Sequence, residues 1–75
     1  MPYRDEPPRR IQWEHKVAEM RADSHAFGAH GFDRDALQKA LSEFGEEGWE
    51  LVTTSTYERD GDTMGMLIFL KRPKH

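Results

Sequence analysis

Apolar and polar positions alternate from Ile11 onward, with Ile11, Trp13, His15 and Val17 on one side and Gln12, Glu14 and Lys16 on the other. A period of two predicts a half-buried strand. Further on, Leu37, Ala40, Leu41 and Phe44 recur at i, i+3, i+4 and i+7, the spacing of one helix face. Alternation resumes after Gly48, with Trp49, Leu51 and Thr53 against Glu50, Val52 and Thr54, and a β-branched series continues to Tyr57. This predicts a second strand. A third runs from about Thr63 to Arg72. Its two faces, Met64, Met66, Ile68 and Leu70 against Leu67 and Phe69, are both apolar, which places it in the middle of a sheet.

The residues between these segments say how they are joined. Asp33 is placed to cap the helix, with Phe32 and Leu37 at the spacing of a hydrophobic staple and Asp35 near the positive end of the dipole. Glu43, Glu46 and Glu47 crowd the negative end without a compensating cation nearby in sequence, and Gly45 or Gly48 supplies the left-handed residue that ends the helix. Arg59-Asp60-Gly61-Asp62 contains the Asp-Gly pair of a tight hairpin, and Pro73 stops the last strand. The stretch 21–32 follows no period and reads as a loop.

The order β-α-β-β therefore predicts a small α+β domain, a three-stranded sheet of order 1-3-2 with one helix packed on one face. Strands one and two are then parallel, joined by a right-handed crossover through the helix. Trp13 and Trp49 are expected on the helix-facing side as core residues. The other face has no element to cover it, and it should carry the second apolar face of strand three. Leu67 and Phe69, with Val52, are the candidate interface residues, and Ala18 is a further companion.

Composition sharpens this picture. A chain of 75 residues makes one domain with a modest core, and without cysteine it gains neither disulfides nor thiolate metal sites. Self-association is the remaining common way to add burial, so a homo-oligomer, a dimer, is expected. Residues 1–10 hold three of the four prolines and five charges, and read as a disordered tail ahead of a single domain over 11–73. Such a tail is suited to presentation to another protein. No secretory signal pattern opens the sequence, and the apolar run Met64–Leu70 is far short of a membrane span, so a cytoplasmic protein with no membrane partner is expected. A net charge of −3 argues against nucleic-acid binding. Arg9 and Arg10, and Lys71, Arg72 and Lys74, read as solvated chain ends.

General acid–base catalysis needs a nucleophile, a base or a carboxylate pair held in a water-poor cleft. The sequence suggests none, and no enzymatic activity or cofactor is expected. Glu46, Glu47 and Glu50 read as a solvated helix end, and Thr53, Thr54, Ser55 and Thr56 as strand residues that pack and pair. Gly28 and Gly31 do not have the spacing of a phosphate-binding loop. His15 is expected as a hydrogen-bonded core or rim histidine. The alternative to an interaction module is a small-ligand or metal-binding domain using the loop 21–32, with His25 and His30 as weak candidate ligands beside Asp23 and Asp33.

Four segments together carry a resemblance: Trp13-Glu14-His15-Lys16-Val17, the helix Leu37 to Phe44, Gly45-Glu46-Glu47-Gly48-Trp49-Glu50-Leu51-Val52, and Ile68-Phe69-Leu70-Lys71-Arg72-Pro73. Over residues 11–73 the chain resembles the small bacterial family catalogued as domain of unknown function 4177, and the Gly-Trp-Glu-Leu-Val box is the most specific element of that likeness. The resemblance implies one strand, an amphipathic helix and a closing hairpin. It implies no activity, and the chain departs from the family in its longer, histidine-bearing loop.

Overall fold

The computed structural model of the chain describes residues 10–24 and 30–75, with Ser24 and His30 described by their backbone alone. Among the described residues six elements follow one another: β1 (Trp13–Arg21), β2 (Asp23–Ser24), β3 (His30–Gly31), α1 (Arg34–Glu46), β4 (Glu50–Arg59) and β5 (Asp62–Pro73). The main sheet has the order β1-β5-β4, and β5 is antiparallel to both neighbours. β1 and β4 therefore run parallel on either side of the strand that is apolar on both faces. The tail predicted over residues 1–10 lies, apart from Arg10, outside the described residues.

The segment 21–32 departs from the predicted loop at both ends. β1 continues to Arg21, the Ala22 amide donates to the Met64 carbonyl, and Asp23–Ser24 pairs antiparallel with His30–Gly31. A two-residue ladder is too short to leave a period in the sequence.

The helix begins as its residues predict. Asp33 is the N-cap, and its Oδ1 accepts from the Asp35 and Ala36 amides at 2.9 and 3.3 Å. Beyond its C-cap Glu47 comes Gly48, whose φ of 90° suits glycine, with the Gly48 amide bonded to the Gly45 carbonyl and the Trp49 amide to the Phe44 carbonyl. This pair of bonds is the Schellman arrangement, and it turns the chain into β4. The cation missing from the helix's last turn comes from β5: Arg72 Nη1 donates to the Glu47 carbonyl at 2.6 Å. At the far end of the sheet, Asp60 and Gly61, with φ of 54° and 86°, form the two-residue turn between β4 and β5.

The core is thin. Met66, Ile68 and Leu70 are its buried residues, and Ala18, Met20, Phe32, Leu37, Phe44 and Trp49 pack partly buried against them. The register shows which face this is: Met20 sits opposite Met66, Ala18 opposite Ile68, Lys16 opposite Leu70 and Glu14 opposite Arg72. The helix-facing side of β1 is thus Glu14, Lys16, Ala18 and Met20, which corrects the predicted assignment. Trp13 is 38% exposed and Val17 58% exposed on the opposite face, Ile11 is 66% exposed ahead of the strand, and His15 is exposed rather than a core or rim residue. Ala18 likewise belongs to the core and not to the bare face.

The reason lies in what the two charged residues do. Glu14 accepts from Arg72 Nε, and the Lys16 ammonium lies 5.2 Å from the centre of the Phe44 ring and 5.5 Å from that of Trp49. Long charged side chains can cover apolar surface while their heads stay wet. In this strand they roof the end of the core that a simple apolar–polar alternation assigns to solvent.

Candidate interaction surface

β5 projects Leu67, Phe69 and Lys71 onto the face without a helix, where the register sets Glu19, Val17 and His15 of β1 opposite them. On the other side, Ser55 and Thr53 of β4 face Leu67 and Phe69, and Glu50 faces Lys71. Leu67 and Phe69 are half-buried, shielded at their sides by the flanking strands, and among the described residues no element crosses above them. Val17 and Trp13 continue the apolar surface along β1.

Two polar contacts bound this patch. At one end the Lys71 ammonium lies 4.3 Å from the centre of the Trp13 ring, a cation–π distance that fixes the indole across the sheet. At the other, the Tyr57 hydroxyl donates to the Glu19 carboxylate, spanning β5 from one outer strand to the other. The span is possible because Gly65 lies beneath: a Cβ there would come within 2.6 Å of Tyr57 Cζ. Donating to a carboxylate holds the Tyr57 phenol protonated, so its pKa is raised above the usual value, chiefly by that bond and secondarily by desolvation.

Val52 lies apart from this patch. The ladder between β4 and β5 shifts between Leu51 and Thr53, so Val52 is the extra residue of a bulge and is 51% exposed at the outer strand. The bulge also reverses the predicted alternation beyond it. Leu51, Thr54 and Thr56 lie opposite the core residues Leu70, Ile68 and Met66, whereas Thr53, Ser55 and Tyr57 lie on the bare side. Of the three predicted interface residues, the structure brings Leu67 and Phe69 together on one face and puts Val52 at the edge.

The sheet's two edges differ in character. The β1 edge carries Glu14, His15, Lys16, Glu19 and Arg21. The β4 edge presents Leu51-Val52-Thr53-Thr54-Ser55-Thr56-Tyr57, without charge, proline or glycine. Charged side chains blunt an edge against further strand pairing, and an uncharged β-branched edge lacks that protection.

The remaining concentration of charge serves the fold. Arg72 joins β1, the helix end and Trp49, its guanidinium lying 4.1 Å from the centre of the indole while it bonds to Glu14 and to the Glu47 carbonyl. The arginine holds the Glu14 carboxyl below its ordinary pKa, mainly through the hydrogen bond. An open cleft of about 290 Å³ lies beside this cluster, lined by Glu14, Glu47, Gly48, Arg72, Pro73 and His75. Sequence reading missed Arg72 because its partners are 25 and 58 residues away along the chain.

Of the weak metal-ligand candidates, His25 lies outside the described residues and His30 is described only as a backbone partner of Ser24. No helix among the described residues is long and apolar enough to cross a membrane.

Residues 13–73 match the family described as Domain of unknown function (DUF4177), and the chain belongs to that family. No curated protein and no solved structure matches it.

Proposed function

We propose that this DUF4177 domain is a non-enzymatic interaction module that associates with further copies of itself. The observation that carries the reading is the one-sided sheet: β5 is apolar on both faces, and one of them, with Leu67, Phe69, Val17 and Trp13, carries no covering element among the described residues. Three buried hydrophobic side chains among the described residues make a small core for a chain of this length. Small domains without disulfides commonly add burial by oligomerising, and covering the second sheet face would do so here. Large contiguous apolar patches on a protein surface mark interaction sites.

The test is a substitution that alters this face and leaves the other intact. Phe69 lies between Ile68 and Leu70 in sequence but on the opposite face, so Phe69→Lys keeps the helix-side core. Sedimentation velocity of the wild type should show a species larger than one chain, and Phe69→Lys should fold with a lower assembly mass. A wild type that sediments as a single chain at high micromolar concentration overturns the proposal.

A further inference from the structure

We infer that β4 pairs edge to edge with β4 of a second copy, antiparallel about a two-fold axis at Ser55. The inference rests on the self-association reading and adds a contact to it. An outer strand has a row of backbone donors and acceptors with no partner in its own sheet, and the group that satisfies such a row best is another strand. Of the two outer strands, β1 carries charge along its length, whereas β4 confines its charge to Glu50, Glu58 and Arg59 at its ends and leaves 51–57 uncharged. The strand most clearly on offer to the β4 edge is its own copy.

The sequence of β4 is compatible with itself in one register in particular. With Val52 set aside as the bulge residue, nine ladder positions remain, and Ser55 is the central one. Around it Thr54 faces the second copy's Thr56, Thr53 faces its Tyr57 and Leu51 faces its Glu58. At both ends Glu50 faces Arg59. Directly opposed residues point to the same side of the sheet in every pair, as an antiparallel ladder requires. The outermost pair is of opposite charge, which supports this register. An axis at Thr54 without counting out the bulge would oppose Glu50 to Glu58, two like charges.

The consequence for the assembly is geometric. A two-fold that relates antiparallel neighbours stands perpendicular to the sheet, so it leaves both helices on one side and both bare faces on the other. Two small patches around Leu67 and Phe69 thereby become one surface six strands wide, available to the face contact already proposed.

Because the chain has no cysteine, one introduced thiol reports on this axis without interference. Cβ atoms of directly opposed residues lie about 4.5–5.5 Å apart in an antiparallel pair. Ser55→Cys should therefore form an interchain disulfide under mild oxidation at micromolar concentration, while Thr53→Cys on the same strand, opposed to Tyr57, should cross-link at least tenfold less. Ser55→Lys puts two like charges together at the axis and should halve the native assembly mass with the circular dichroism unchanged. If the wild type is oligomeric but Ser55→Cys cross-links no better than Thr53→Cys and Ser55→Lys keeps the full mass, the edge contact is wrong and self-association stands. A wild type of single-chain mass overturns both.

Discussion

Gly65 and Tyr57 show how one residue's absence of a side chain sets another's chemistry. The phenol crosses β5 only where no Cβ stands in its way. Gly65→Ala should force the ring off its path, cost about 1–3 kcal/mol by overpacking and break the bond to Glu19. The phenol's proton is held in the folded state, so the stability it supplies is present below the unfolded tyrosine pKa of about 10 and is lost as pH rises through the higher folded value. In a Tyr3→Phe background, where Tyr57 is the one tyrosine left, the tyrosinate absorbance should therefore rise at a higher pH than in a denatured control. Adding Gly65→Ala should bring the transition back toward the control. A Tyr57 that titrates like the denatured control before the glycine is changed would show that the bond to Glu19 does not persist.

The two tryptophans are separated at the same scale. Trp49 packs against the core with Arg72 and Lys16 both near its ring, while Trp13 lies on the bare face beneath Lys71. Trp49→Ala should cost about 3 kcal/mol, the low end for a core tryptophan because the indole is half-buried. Trp13→Ala should cost about 1 kcal/mol or less in a monomeric background, where only an exposed cation–π contact is lost. Urea denaturation of the two variants measures the difference, and equal losses would contradict the placement of Trp13 away from the core.

The elements that depend on neighbouring residues were legible in the sequence. Asp33 capping, the Asp60-Gly61 turn, the helix face of Leu37 and Phe44 and the central position of β5 all follow from spacings of a few residues. Gly48 is of the same kind: its positive φ disfavours a Cβ, so Gly48→Ala should lose about 1–2 kcal/mol. Thermal denaturation checks this, with Gly45→Ala as a control that should be neutral or stabilising, since nothing lies near its Cβ position and it sits within the helix. What the sequence hid depends on pairing between distant segments. The inward face of β1 is decided by Arg72 bonding Glu14 and by Lys16 reaching two aromatic rings, and the Val52 bulge reverses an alternation that looks unbroken in the chain. A period of two shows that a strand has faces but not which one is covered. Arg72 at the helix end is a third instance, since the cation that offsets three glutamates belongs to the last strand.

For the whole molecule, the controlling fact is asymmetry: among the described residues, one helix serves one side of a sheet whose central strand is apolar on both. Leu67 and Phe69 were legible as the second apolar stripe, because β5 alternates without a polar face, whereas Trp13 and Val17 joined them only once the register of β1 was known. Among the described residues nothing covers the face that carries Leu67 and Phe69. Self-association is read most directly in the mass of the native particle. Native mass spectrometry of the unmodified protein over a concentration series should give an assembly of two or more chains whose population grows with concentration. A single-chain mass throughout would contradict it, and would mean that this uncovered face is tolerated in water.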